Sequence, residues 1–228
     1  SHGTQGVKDG FVHLFDATTG VERRSLKFGS TVNDVAISSD GKHLAIGTKK
    51  NGATLWDADG SAQIAALGGA TDAAGEVELS TDGTIVLVRA GKEVRIHATG
   101  DGALVATLTG HEKGILDAAL SRSGAQVATA SIDGTVRVWD ARSGKEIAKL
   151  APQVEGYGKP ARFQSVAWSP DQRLVAAGAQ DGSVRLVDAA TGAVTHTLLH
   201  HSASIEALVF SPDGRRLLAA SLDRTGTL

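Results

Sequence analysis

The chain has 228 residues, enough for one large all-β domain, and carries 23 basic against 25 acidic residues for a formal charge of −2. Both signs are mixed throughout and no basic block occurs, so non-specific nucleic-acid binding has no electrostatic support. The absence of cysteine excludes disulfides and thiol chemistry, and no run approaches the ~18 apolar residues of a membrane helix.

In chain order, Ser1–Lys8 reads as the tail of a strand and Asp9-Gly10 as the turn after it. Phe11–Phe15 and Glu22–Lys27 follow as two further strands. A paragraph of sequence then recurs to the end of the chain, and its fullest copy runs from His111 to Asp140. It opens on Gly110-His111, closes on Trp139-Asp140, and holds three short runs with β-type alternation. Ser121-Arg-Ser-Gly and Ile132-Asp-Gly separate those runs with turn chemistry. Copies of the first run fall near Val32–Ile37, Glu76–Leu79, Ile115–Leu120 and Gln164–Trp168. A last pair of strands covers Ile205–Phe210 and Arg216–Ser221, and the chain stops at Asp223–Leu228 on entering a third.

Two landmarks keep one period. The closing dipeptides are Phe15-Asp16, Trp56-Asp57, His97-Ala98, Trp139-Asp140 and Val187-Asp188, with second residues 41, 41, 42 and 48 apart. The first turns begin at Ser38, Ser80, Ser121, Ser169 and Ser211, which are 42, 41, 48 and 42 apart. Both place the one insertion in the same repeat. With its Gly-His and Trp-Asp signatures at this period, the chain resembles the WD40-repeat family over essentially its whole length. The resemblance implies an all-β fold, a β-propeller of four-stranded antiparallel blades. The physics agrees. A unit of four short strands cannot bury both its faces alone, and stacking such units covers them. Apolar runs such as Thr84–Val88 and Leu174–Ala177 suit sheets covered on both sides.

The expectation is a single propeller domain over 1–228, with a partial blade at each terminus and five blades in all. The first two strands of one blade lie at the C-terminus and the last two at the N-terminus. The alternative is part of a six- or seven-bladed ring, since seven blades at this period need roughly 290 residues. Thr225–Leu228 and Phe11–Phe15 both claim the third-strand place, which argues for that alternative. An incomplete ring would self-associate through its open blade edges. The absence of methionine fits excision from a larger protein, with Ser1-His-Gly a processing scar, and no signal peptide is visible. The insertion Ala151–Arg162 contains two prolines, two glycines and the sole tyrosine, and forms a loop between a fourth strand and the next first strand.

His111, Ser131 and Asp133 have the residue types of a hydrolase triad. The WD40 resemblance implies instead a structural hydrogen-bond chain, Trp139–Ser131–His111–Asp133, inside one blade. His201, Ser221 and Asp223 make a partial set. No Gly-x-Ser-x-Gly elbow surrounds the serine. His196, His200 and His201 lack companion ligands at zinc spacing, no calcium loop appears, and the glycines form no phosphate loop. No cofactor or metal is expected. Glu76, Glu78 and Asp117 on first strands read as solvated acids along an axial channel.

Carried over by position, the family's partner contacts fall on Ile132, Gln180 and Leu222 in one ring of loops, and on Thr31, Ala73, Gly114, Arg162 and Ser204 in the other. Ile132 and Leu222 are apolar on loops expected to be exposed. Tyr157 and Arg162 are residue types that anchor interfaces. Lys49, Lys50 and Lys92 add positive charge to equivalent turns. The reading is a non-catalytic, cytoplasmic scaffold that docks a protein or peptide on its top-face loops, as a sensing or docking part of a larger protein. No nucleic acid and no membrane are expected as partners. The alternative is a propeller enzyme or a lectin for sugars and small ligands, using the axial pocket.

Overall fold

The computed structural model describes residues 9–68, 74–150, 154–155, 159–160 and 162–228. All regular structure among them is β. β1 (Gly10–Phe15) and β2 (Glu22–Phe28) form a two-stranded sheet. A four-stranded antiparallel sheet follows, of β3 (Val32–Ile37), β4 (His43–Thr48), β5 (Gly52–Asp57) and β6 (Gln63–Leu67). The next holds β7 (Glu76–Leu79), β8 (Ile85–Ala90), β9 (Glu93–Ala98) and β10 (Leu104–Leu108). The third holds β11 (Ile115–Leu120), β12 (Gln126–Ser131), β13 (Val136–Asp140) and β14 (Glu146–Leu150). Inside the insertion, β15 (Val154–Glu155) and β16 (Lys159–Pro160) pair as a two-residue ladder. A fourth complete sheet has β17 (Phe163–Trp168), β18 (Leu174–Ala179), β19 (Ser183–Asp188) and β20 (Val194–Leu199). The last has β21 (Ile205–Phe210), β22 (Leu217–Ser221) and β23 (Gly226–Thr227).

The fold class is thus the all-β, propeller-blade class, with four complete blades among the described residues. The strands expected at Phe11–Phe15 and Thr225–Leu228 are β1 and β23; β23 is third in its sheet, whereas among the described residues β1 pairs with β2 alone. The strand tail expected at Ser1–Lys8 lies outside the described residues. The chain packs into two compact units, 1–90 with 95–105 and 91–94 with 106–228.

Local chemistry sets the hairpins. In the turn after each first strand, the serine hydroxyl bonds the aspartate two residues on: Ser38–Asp40 2.6 Å, Ser80–Asp82 2.6 Å, Ser169–Asp171 2.7 Å and Ser211–Asp213 2.5 Å. The fourth turn residue takes positive φ, the conformation glycine adopts without strain, as in Gly41 and Gly83. The turns at 121 and 169 depart from this pattern. Ser123 replaces the aspartate in one, and Gln172, at φ 62°, replaces the glycine in the other. The two departures are partners: Ser123 Oγ donates to Gln172 Oε1 at 2.5 Å. That bond offsets the backbone strain at Gln172.

Within each unit, sheets stack through apolar faces. Ala36, Ala45, Ala53, Leu55 and Leu67 pack with Val77, Leu79, Val86 and Val88. Ala119, Ala128, Val138 and Leu150 pack with Phe163, Val166, Val175 and Ala177. Alanines at the centre let the sheets approach closely.

A carboxylate braces both stacks. Asp34 Oδ1 accepts from Val35 N at 2.9 Å and its Oδ2 from Val77 N at 3.0 Å. Asp117 repeats this with Ala118 N at 3.0 Å and Val166 N at 2.7 Å. Asp117 therefore braces sheet to sheet, which corrects the solvated role expected for it. The cause is the neighbouring first-strand amide, a donor that needs an acceptor once buried. Asp117→Ala is expected to lower the unfolding free energy by about 2 kcal/mol, with Asp117→Asn losing less. Urea denaturation checks both.

Candidate functional site

The best-formed polar cluster lies in the third complete blade. Trp139 Nε1 donates to Thr129 Oγ1 at 2.9 Å, Thr129 Oγ1 lies 2.7 Å from His111 Nε2, and His111 Nδ1 lies 2.8 Å from Asp133 Oδ2. Donor and acceptor inventory fixes the protons. The indole only donates, so Thr129 Oγ accepts from it and turns its own hydrogen to Nε2. An ionised Asp133 only accepts, so Nδ1 carries the imidazole hydrogen. Thr135 Oγ1 adds a 2.6 Å bond to Asp133 Oδ1, and the Glu112 amide donates to Oδ2 at 3.1 Å.

Ser131, expected between Trp139 and His111, lies outside this chain. Its hydroxyl donates to Gly114 O at 2.9 Å and accepts from Asp133 N at 3.1 Å. Strand register explains the correction. Trp139 pairs with Val127, so Thr129 is its diagonal neighbour, whereas Ser131 is four residues along, about 13 Å. Gly110 also has a local reason. At φ 147° it leaves room for Arg137, whose Nη1 would lie 2.7 Å from an added Cβ. Arg137 in turn bonds Glu146 at 2.8 Å and stacks over Trp139 at 5.8 Å.

The Thr–His–Asp order imitates a nucleophilic triad, but the chemistry is closed off. Thr129 is fully buried, His111 and Trp139 are almost so, and the indole N–H occupies the hydroxyl's acceptor side. A substrate carbonyl has no path to that oxygen. The arrangement satisfies buried polar groups and braces the blade.

Two variants of the cluster occur. In the last sheet, His201 Nδ1 meets Asp223 Oδ2 at 2.9 Å and its Nε2 meets Thr227 Oγ1 at 2.9 Å. Ser221 repeats the place of Ser131, donating to Ala203 O at 2.9 Å. In β9, His97 stands at the tryptophan position. Its Nδ1 bonds Gly102 O at 3.0 Å, and its Nε2 is buried without a partner. His196 and His200 are exposed and stand apart from these clusters.

Burial is the main cause holding the His111 imidazole below its usual pKa, and Asp133 pulls upward without outweighing it. Burial also lowers His97. Asp133 is pushed up by burial, but hydrogen bonds from Thr135 and His111 prevail and hold it at about 2. The sign of the linkage follows. Unfolded imidazoles, with pKa about 6.5, bind protons that the native state refuses. Their contribution to stability is complete above that value and is lost as pH falls. Asp133 adds a second loss between about pH 4 and pH 2. Urea midpoints are therefore expected to fall from pH 7.5 to pH 5. His97→Phe/His111→Gln should flatten that limb and leave the acid limb in place.

The loop positions form a second constellation. In four repeats, the residue before the second turn donates its amide to the carbonyl of the residue entering the first strand. The pairs are Lys49–Thr31 at 2.9 Å, Ile132–Gly114 at 3.1 Å, Gln180–Arg162 at 2.8 Å and Leu222–Ser204 at 2.9 Å. Gln180, Arg162, Lys49, Lys50, Lys92 and Thr31 are exposed, and Leu222 is 65% exposed. Ile132 is half-buried because its side chain folds over Gly114. Ser204, expected on the exposed ring, is 6% exposed, tucked beneath the turn that its carbonyl holds. Tyr157 and Ala73 lie outside the described residues.

The sequence model described as "WD domain, G-beta repeat" matches residues 21–57 and 102–140. The one described as "Anaphase-promoting complex subunit 4 WD40 domain" matches residues 153–213. Among similar proteins, mouse WD repeat-containing protein 54 is 37% identical over 121 residues, covering 51% of this chain and 34% of that protein. Cell division cycle 20.5, cofactor of APC complex, from Arabidopsis thaliana is 27% identical over 228 residues, covering 92% of this chain and 48% of its own. Arabidopsis autophagy-related protein 16 is 24% identical over 266 residues, covering 97% and 51%. The chain thus spans about a third to a half of the length of these relatives. With blades of four antiparallel strands, a Trp–Thr–His–Asp brace and two WD40 models that together match over half of its residues, the chain belongs to the WD40-repeat family.

Proposed function

We propose that the protein is a non-catalytic interaction module that docks a protein or peptide on the loops at one end of its blades. The observation that carries this reading is the set of braced loop pairs. Each presents a side chain of different chemistry on a backbone already tied down, so ordering cost on binding is small. Within the second unit these are Arg162 and Gln180, half-buried Ile132 and the well-exposed Leu222. An apolar anchor beside amide and guanidinium donors suits a peptide segment with one aliphatic side chain and nearby acidic groups. The relatives' printed roles, as a cofactor of a complex and in autophagy, support an assembly role of this kind. A place as the docking or sensing part of a larger protein, acting in the cytoplasm, belongs to the same proposal.

The test is quantitative affinity capture from the source lysate, comparing wild type with Arg162→Glu/Leu222→Asp and with Tyr157→Ala/Arg162→Ala. Proteins recovered by wild type and lost from the first variant, with its near-ultraviolet spectrum unchanged, are expected. Recovery of the same proteins in the same amounts from all three sinks the reading for these loops.

A further inference from the structure

Trp168 and Phe210 hold the same place at the ends of β17 and β21, paired with Val175 and Leu217. The tryptophan closes the seam beside it. Its Nε1 donates to Ala119 O at 3.0 Å on the neighbouring sheet, and its ring packs against the core between the two sheets. The turns on that seam are tied as well, since Ser123 bonds Gln172 through both its amide and its hydroxyl.

The seam beside Phe210 has neither closure. Phenylalanine has no N–H to donate. Gly214, at the place of Gln172, has no side chain to reach the turn of the neighbouring sheet. A cleft of about 350 Å³ lies between the turns that begin at Ser169 and Ser211. Pro170, Leu174 and Phe210 give it an apolar lining, Asp171 and Asp213 are its charged groups, and no basic side chain lines it. Arg173, whose charge also acts on Asp171, lines a separate hollow with Asp188 and Gln126.

Both carboxylates are held in place by their own turns. Asp171 Oδ1 accepts from Ser169 Oγ at 2.7 Å and from Arg173 N at 3.1 Å. Asp213 Oδ1 accepts from Ser211 Oγ at 2.5 Å and from Arg215 N at 3.0 Å. Oδ2 of each accepts no hydrogen bond from another described residue. The serine hydroxyls, and after them the backbone amides, hold both groups below the usual carboxylate range, so both are ionised at neutral pH.

We propose that this cleft binds an arginine side chain of a basic peptide. Charge complementarity names the occupant: two anchored carboxylates, each with an oxygen to spare, face a space that contains no cation of the chain. A guanidinium carries donors for both and can stack on the Phe210 ring. The methylene stem suits Pro170 and Leu174. A cleft at the small end of ligand-site volumes fits one side chain better than a whole cofactor. The site is separate from the loops of the proposed function. Those follow each second strand, whereas these turns follow each first strand and so lie at the opposite end of the hairpins.

A blocked tripeptide, Gly-Arg-Gly, tests it by titration into the ¹⁵N-labelled 228-residue chain. Amide shifts at residues 168–174 and 210–216 are expected, with a dissociation constant of about 1 mM. The citrulline counterpart keeps the shape and lacks the charge, and should bind at least about 10-fold more weakly. Asp171→Asn/Asp213→Asn keeps the turn acceptors and should weaken the arginine peptide by about the same factor. Phe210→Trp restores the residue that closes the other seam and should abolish binding. Arg162→Glu/Leu222→Asp, which disables the proposed docking loops, should bind the arginine peptide as wild type does, so either reading can fail alone. No shifts at these turns, equal binding of the citrulline peptide, or undiminished binding by the folded asparagine variant overturns the proposal.

Discussion

His111→Ala is expected to lower the free energy of unfolding by about 3 kcal/mol. The substitution removes the hydrogen that Asp133 accepts through Oδ2 and the acceptor that Thr129 addresses through Nε2. Both groups stay buried, so water cannot repair the loss, and a nearly buried carboxylate is left short of a partner. A small cavity beside Trp139 adds to the cost. Two companion variants separate the members of the chain. Thr129→Val keeps the shape but strands the indole N–H and Nε2 together, for about 2 kcal/mol. Ser131→Ala loses bonds to Gly114 O and Asp133 N only, for about 1 kcal/mol. Urea denaturation followed by tryptophan fluorescence ranks the three. A larger loss at Ser131 than at Thr129 would put the serine back in the brace.

The second large effect is expected at Gly182. Its φ is +87°, and an added Cβ would lie 2.3 Å from His201 O and 2.7 Å from His201 C. Those are backbone atoms, which cannot swing aside as a side-chain tip does. Gly182→Ala therefore combines left-handed backbone strain with a steric overlap, for about 3 kcal/mol in sum. The overlap pushes on the residue whose imidazole holds Asp223, so the last sheet should loosen first. Gly20 supplies the control. It has φ +69° but open space around it, so Gly20→Ala should cost about 1 kcal/mol from conformation alone. Thermal denaturation of both variants distinguishes the two terms. Equal losses would mean that the contact with His201 contributes nothing.

The hairpins and their period were legible before any coordinates. Turn chemistry acts within four or five residues, and Ser38-Ser-Asp-Gly or Ser211-Pro-Asp-Gly closes its own bonds wherever the chain goes. The histidine, aspartate and tryptophan of the brace were legible through motif and spacing. The hydroxyl between them was not, because Thr129 and Ser131 share one strand face and only register tells which reaches the indole. Had the β12–β13 register been counted back from the Ile132–Gly134 turn, Val127 opposite Trp139 would have pointed to Thr129.

By itself the sequence determined a chain of antiparallel four-stranded units with Gly at most of the left-handed turn positions, because those choices depend on alternation and on neighbours a few residues away. The stacking of sheets decided the rest. Ser123 finds Gln172 across 49 residues, and Asp117 finds the Val166 amide across the same distance. Each depends on which donor and acceptor two separate sheets leave facing one another, and nothing in the local order of residues specifies that.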